Sequence, residues 1–213
     1  WEEIFTFNTN ATNPDTDGDN MTDDWELLYE LNPNNFLDRD LDYDYDNLTN
    51  YEEYQLGTHP KLNDTDGDGL EDGEEVQVHL TDPLLADTDG DTLDDYVEVK
   101  VHLTDPKKMD TDGDQLNDNE EIELYSTDPL LPDTDGDGLD DRAEIIDHKT
   151  SPLLNDTDFD NLTDFLEIMN YTTNPLLNDT DGDGLDDWSE IFKYFTKPKE
   201  MDTDKGGMDD GDE

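Results

Sequence analysis

Cysteine is absent from the 213-residue chain, which excludes disulfide staples and thiolate metal sites. Basic residues are scarce, with 11 Lys and Arg against 64 Asp and Glu and a formal net charge of −53. That balance excludes nucleic acid and anionic membrane surfaces as partners. Hydrophobic residues make up only 30% of the chain, and no apolar run approaches the ~18 residues of a membrane span. No basic-then-apolar start reads as a signal peptide, and the sequence starts at Trp1, so the expectation is a mature fragment or a section of a longer polypeptide. With this composition, apolar burial cannot offset the entropy of ordering the chain, and self-repulsion adds to that cost. Metal held by oxygen is the remaining candidate for what orders it.

What is abundant is periodic. DTDGDGLEDGEE from Asp64, DTDGDTLDDYVE from Asp87, DTDGDQLNDNEE from Asp110, DTDGDGLDDRAE from Asp133, DTDFDNLTDFLE from Asp156 and DTDGDGLDDWSE from Asp179 start 23 residues apart. A further copy, DTDGDNMTDDWE, starts at Asp15, and DYDYDNLTNYEE starts at Asp42 behind a four-residue insertion, DRDL. A ninth, DTDKGGMDDGDE from Asp202, is degenerate. The expected organisation is the end of a preceding repeat at 1–14, then repeats at 15–37, 38–63 (with the insertion), 64–86, 87–109, 110–132, 133–155, 156–178 and 179–201, and the start of the degenerate repeat at 202–213.

Each full copy has Asp at loop positions 1, 3 and 5 and Glu at position 12. Alternating carboxylates on a curled backbone, a small residue or Asn at position 6 for the turn, a backbone carbonyl at position 7 and a Glu to close the shell suit Ca²⁺. Mg²⁺ suits it less, because it demands a tighter octahedron and gives up water reluctantly. The candidate metal ligands, with the carbonyl residue fourth in each set, are Asp15, Asp17, Asp19, Met21 and Glu26 in the first loop, and Asp42, Asp44, Asp46, Leu48 and Glu53 in the second. They continue as Asp64, Asp66, Asp68, Leu70 and Glu75; Asp87, Asp89, Asp91, Leu93 and Glu98; and Asp110, Asp112, Asp114, Leu116 and Glu121. The last three sets are Asp133, Asp135, Asp137, Leu139 and Glu144; Asp156, Asp158, Asp160, Leu162 and Glu167; and Asp179, Asp181, Asp183, Leu185 and Glu190. Together with an Asp at position 9, this register holds about two-thirds of the 64 acidic residues. The acidic surface of a halophile would spread its charge over exposed helix faces instead.

Asp at position 9 and Glu at position 12, for example Asp72 and Glu75, spell a helix capping box. Beyond it, positions 13 and 16 form a stripe expected to be buried: Val76 and His79, Val99 and His102, Ile122 and Tyr125, Ile145 and His148, Ile168 and Tyr171, Ile191 and Tyr194. Thr followed by Pro two residues on ends the helix, and a PLL-type connector is expected to be extended. The fold expected is a tandem-repeat, elongated calcium-stabilised solenoid or rod of Asp-rich loops, with short α-helices, extended connectors and little β-sheet.

An EF-hand would need a helix entering the loop and an apolar residue at position 8, whereas here Pro precedes the loops and the apolar residue stands at position 7. The motif instead resembles the bacterial and archaeal thrombospondin type 3-like repeat, and also the calcium segment of the protective-antigen toxin family. The resemblance implies ligation by the side chains at positions 1, 3, 5 and 12 and the carbonyl at 7. In some members it extends to a second ion sharing positions 3 and 5 with an acidic residue from elsewhere, so one or two Ca²⁺ per repeat are implied. The ninth loop departs from the pattern, with Gly206 in place of the third Asp and Lys205 beside it, and the cysteines of vertebrate repeats are absent.

The function expected is a non-enzymatic, extracellular or cell-surface calcium-binding structural protein forming a rigid stalk or filament segment. The alternative is a calcium-dependent spacer or interaction module of a larger adhesin, toxin or secreted enzyme. No nucleophile–base constellation, phosphate loop or basic patch is present, and His79, His102 and His148 share one register that reads as packing. Glu213 falls at position 12 of the ninth loop, while Trp1 and Ile4 read as positions 13 and 16, so head-to-tail self-association is expected. Among the Asn-x-Thr sequons, Asn20, Asn47 and Asn161 are explained by loop position 6. Asn10 and Asn170 lie outside the loops and are the candidate glycan carriers.

Overall fold

A computed structural model describes residues 9, 10 and 12–213; Trp1 and Ile4 lie outside them. The chain forms two compact units, Trp1–Met109 and Asp110–Glu213, and the described residues contain short helices and loops but no strand. The first unit carries α-helices Asp23–Leu28 and Asn50–Leu56 and a 3₁₀ turn Asp38–Asp40. It ends with two composite helices, in which the α-turn Asp72–Glu74 runs into a π-turn Glu75–His79 and Asp95–Val97 into Glu98–His102. The second unit repeats the composite form in Asp118–Glu120 with Glu121–Tyr125, Asp164–Leu166 with Glu167–Tyr171, and Asp187–Ser189 with Glu190–Tyr194. It also holds the π-turn Ala143–His148 and a 3₁₀ turn Asp210–Asp212.

The α-helices and α-turns start one residue earlier than the expected capping box. The extended N-cap residue is position 8, and Thr49 with Glu52 and Asn117 with Glu120 make reciprocal capping boxes there. Position 9 is already helical, and its Asp is committed elsewhere: Asp72 accepts from the amide and hydroxyl of Thr65 at 2.7 and 2.6 Å. The expected pairing of Asp72 with Glu75 is therefore not the cap.

The helices that contain a π-turn stop at a left-handed residue at position 17: Leu80 (φ 59°), Leu103 (65°), Ser126 (61°), Lys149 (66°), Thr172 (56°) and Phe195 (65°). The wide π-turn keeps the Glu carbonyl as acceptor for that cap, with the Leu80 amide donating to Glu75 at 2.6 Å and that of Leu103 to Glu98 at 2.6 Å. A buried Thr follows, and the connector then folds back as a β-turn, closed by Leu85 to Asp82, Leu131 to Asp128 and Leu177 to Asn174, each at 2.9 Å. These connectors are turns where extended chain was expected.

Apolar burial centres on loop position 7 and the connector prolines. Met21, Leu48, Leu70, Leu93, Leu116, Leu139 and Leu162 are buried, as are Leu31 and Pro33, Pro60, Pro83, Pro106, Pro129 and Pro175. The stripe at positions 13 and 16 is only half-buried, and Tyr194 is 49% exposed. A π-turn rotates less per residue than an α-turn, so residues three apart no longer share one face. What is fully enclosed instead is carboxylate, namely Glu26, Glu53, Glu75, Glu98, Glu121, Glu144, Glu167 and Glu190, each at 0% exposure.

Candidate metal centre

The loop backbone is shaped by its own aspartates. Position 1 accepts from the amides of positions 4 and 6, as Asp64 does from Gly67 (2.7 Å) and Gly69 (3.1 Å) and Asp156 does from Phe159 (2.7 Å) and Asn161 (2.9 Å). From the loop at Asp64 onward position 3 accepts from the amide of position 5, and in every full loop position 5 accepts from that of position 7, as in Asp66–Asp68 (3.2 Å) and Asp68–Leu70 (2.7 Å). Positions 4 and 6 both adopt left-handed φ, which explains Gly at most of them. Yet Tyr45 (69°), Phe159 (68°), Thr92 (84°) and Gln115 (81°) are held there too. The curl brings one carboxylate oxygen each of Asp15, Asp17 and Asp19 within 4.8 Å of one another, and does the same for Asp42, Asp44 and Asp46, for Asp64, Asp66 and Asp68, and for Asp87, Asp89 and Asp91.

Those bonds leave the inward-facing oxygens without a protein partner. At position 3 these are Oδ2 of Asp66, Asp112, Asp135, Asp158 and Asp181 and both oxygens of Asp17 and Asp44. At position 12 they are Oε2 of Glu75, Glu98, Glu121, Glu144, Glu167 and Glu190 and both oxygens of Glu26 and Glu53. Burial, followed by the charge of the loop aspartates, pushes the Glu75, Glu98, Glu121, Glu144, Glu167 and Glu190 carboxyls up to about 8 and that of Glu53 to about 9. Glu26 is likewise raised to about 8. Buried, mutually repelling carboxylates with unmade bonds are costly unless a cation compensates them. The donor set is all oxygen, which fits Ca²⁺. The residues at position 7 offer an amide to the position 5 carboxylate and bury their side chains beside the loop.

Three supporting contacts were not anticipated from sequence. Thr at position 18 donates to the Glu at position 12, with Thr81–Glu75, Thr104–Glu98, Thr127–Glu121 and Thr150–Glu144 at 3.1 Å and Thr173–Glu167 at 3.0 Å. Its recurrence in one register was the available signal, read there only as a helix stop. Second, the position 5 carboxylate accepts from the position 10 amide of the following repeat: Asp46 from Gly73 (3.1 Å), Asp68 from Tyr96 (3.0 Å), Asp114 from Arg142 (3.2 Å) and Asp137 from Phe165 (2.8 Å). Third, Asp38 of the insertion joins Asp19 and Glu26 in a further buried carboxylate cluster. In the ninth loop, Gly206 donates its amide to Asp202 and Asp204, and Glu213 stays exposed.

Residues 64–86, 110–132 and 133–153 match the family described as "Bacterial TSP3 repeat". The chain carries three bacterial TSP3 repeats. TSP3 is a calcium-binding structural repeat and not an enzyme family. Two solved structures are similar over a short stretch. One is "Biofilm associated protein - B domain" (44% identity, 21% of this chain, 11% of that chain, TM-score 0.21), and the other is "Biofilm associated protein - BSP domain" (48%, 21%, 8%, 0.21). This chain thus spans a small part of their length. No curated protein matches the sequence. Around the TSP3 loops, no helix among the described residues is long and apolar enough to cross a membrane.

Proposed function

We propose that the chain is a calcium-loaded extracellular or cell-surface TSP3 array that serves as a rigid stalk or spacer, with each copy from 15–37 to 179–201 acting as one ligand-bearing unit. The enclosed, unpartnered oxygens of the position 3 Asp and position 12 Glu carry this reading. In it, each loop holds Ca²⁺ through the side chains at positions 1, 3, 5 and 12 and the carbonyl at 7, with one or two ions per repeat. Extracellular concentrations suit such sites, whose Kd is roughly 10⁻⁴–10⁻³ M. Free calcium at about ten times Kd stabilises each by about 1.4 kcal/mol, so eight contribute about 11 kcal/mol. Rigidity follows from the carboxylate at position 5, which would bind the ion while holding the next repeat's amide. Calcium titration followed by circular dichroism and small-angle scattering, reversed with EGTA, tests the proposal: a cooperative gain of order with an elongated profile supports it, and an unchanged chain defeats it.

A second reading is favoured by the backbone nature of the repeat-to-repeat bond, which a second copy could also supply: head-to-tail association into a filament. Sedimentation with and without calcium separates this from a monomeric spacer or interaction module within a larger adhesin, toxin or secreted enzyme. Asn10 and Asn170 are both exposed and are the proposed glycan sites, which peptide mapping of the native protein would check.

A further inference from the structure

Two of the full loops carry a side chain for which the fold has no use. Position 4 is Gly18, Gly67, Gly90, Gly113, Gly136 and Gly182 in the other six, and a Cβ at any of them would meet nothing within 4 Å. The position faces open solvent. In the two exceptions it is Tyr45 and Phe159, at φ 69° and 68° and 83% and 72% exposed. Left-handed backbone disfavours a bulky side chain, and a ring left in water gains nothing from packing. Tyr45 and Phe159 therefore serve something other than the chain's own core.

The same two copies agree in the residues that follow. Tyr45-Asp46-Asn47-Leu48-Thr49 and Phe159-Asp160-Asn161-Leu162-Thr163 share one pattern, in which an aromatic residue stands two before the Asn of an Asn-x-Thr sequon. Loop position 6 accounts for Asn47 and Asn161 but not for the Thr at position 8. That position is the helix N-cap, and Glu71, Asp94, Asn117, Asp140 and Asp186 fill it in the copies whose position 6 is Gly, Thr or Gln. Thr stands there only behind Asn, as Thr22, Thr49 and Thr163. Capping does not ask for Thr, whereas a glycan acceptor does. Asp42 accepts from the amides of Tyr45 (2.6 Å) and Asn47 (3.1 Å), and Asp156 does the same for Phe159 and Asn161 (2.7 and 2.9 Å). With both amides turned in to one carboxylate, ring and carboxamide leave the same turn two residues apart, and both Asn are exposed. Asn161 Nδ2 donates to the Asp160 carbonyl at 2.7 Å, which engages one of its two hydrogens.

We propose that Asn47 and Asn161 are N-glycosylated and that Tyr45 and Phe159 are the platforms on which the first sugar of each glycan stacks. In the transfer, Nδ2 bonds to C1 of an activated glycosyl phosphate or pyrophosphate donor. The C1–O bond breaks with its electron pair going to the phosphate leaving group, and Nδ2 gives up one proton to a base of the transferase. The hydrogen that stays on Asn161 Nδ2 keeps the bond to Asp160. One face of a pyranose is lined with C–H groups of partial positive charge, which suit the negative face of an aromatic ring. Stacking covers the ring that the fold leaves in water. The sequon Asn20-Met21-Thr22 has Gly18 in the place of the ring, so the chain contains the same acceptor without a platform. The proposal rests on the extracellular reading and adds two carriers to Asn10 and Asn170.

Glycopeptide mass spectrometry of the protein from its native host, with electron-transfer fragmentation to assign each site, tests the carriers. Sugar on Asn47 and Asn161 is expected. Both bare on protein recovered outside the cell overturns the proposal and leaves the extracellular reading standing, whereas recovery from the cell interior with every sequon bare overturns both. NMR of the glycosylated protein tests the platforms. The C–H protons of the first sugar on Asn47 and Asn161 should lie upfield, in the ring current, of the same protons in Tyr45→Gly and Phe159→Gly. Those variants carry the residue that six other copies have at position 4, so the loop is retained. Equal shifts overturn the stacking. Tyr45→Phe keeps the ring without the hydroxyl and should retain the upfield shift; its loss there also overturns the stacking.

Discussion

The repeats at 15–63 and those from 64 to 201 solve one problem in two ways. In the later group a π-turn adds a residue before the left-handed cap, so the cap falls at position 17 and the next residue, Thr, reaches the position 12 Glu. In the earlier group the helices are α throughout, the left-handed residue comes at position 16, as Glu30 (φ 58°) and Gly57 (89°), and no Thr reaches Glu26 or Glu53. Thr58 is buried in the second repeat with its hydroxyl unpartnered. The lesson is that the twelve-residue loop is the fixed part, while the helix behind it can change pitch and its Glu can lose a supporting bond.

The most severe way to break the comparison is to remove calcium. EGTA is expected to abolish ordered structure in both groups, seen as loss of circular dichroism signal and expansion in scattering; retention of helix in either group would show that it does not depend on the metal. Acid should partly reverse the loss. The Glu carboxyls lie near 8 or 9 in the folded chain against an ordinary 4.5, so the folded state binds more protons than the unfolded one between those values. The stability they lend the chelated protein is full below about 4.5 and is lost as pH rises through about 8. A chelated chain that becomes more compact as pH rises over that window would contradict this. Glu53, which no Thr supports, should be the last of these carboxyls to ionise as pH rises, which carboxyl-labelled NMR can follow.

Gly73→Ala acts at the junction between the groups, because a Cβ there collides with the Asp46 carbonyl. It should cost about 1–3 kcal/mol, read as a raised calcium midpoint for the second and third repeats. Thr104→Val removes the hydroxyl from Glu98 and is expected to cost about 1 kcal/mol, whereas Thr58→Val should cost nothing measurable; equal effects in calcium-dependent thermal melts would erase the distinction drawn above. The smallest effect expected is a gain of up to about 1 kcal/mol for Thr92→Gly, which relieves a β-branched residue at φ 84°.

The clustering of the candidate ligands was legible because a hard ion favours Asp in alternation, and the buried Leu at position 7 follows from the same curl. The cap was misplaced by one residue because Asp72 and its counterparts suit both an N-cap and a bond to the position 2 Thr, and sequence does not decide between them. The stripe at Val76 and His79 failed because nothing in EVQVH announces a π-turn rather than an α-turn. The place of Asp38 was invisible because it stands outside the register, and only the folded chain brings it to Asp19 and Glu26.

The bond from the carboxylate at position 5 to the amide at position 10 of the next copy has a consequence for how such genes change length. The acceptor side is an Asp in every full copy, and the donor is main chain, so Gly73, Tyr96, Arg142 and Phe165 all serve and proline is barred, while against Asp46 any side chain is barred as well, because a Cβ at position 73 meets the Asp46 carbonyl. Unequal recombination that removes or duplicates one 23-residue period would join an old acceptor to a new donor with the bond intact. The array can therefore gain or lose copies with little compensation at most seams, and an aromatic ring at position 10 is accommodated against a preceding position 6 of either Gly, as Tyr96 on Gly69 and Phe165 on Gly138, or Asn, in the pairs Tyr51 with Asn20 and Trp188 with Asn161.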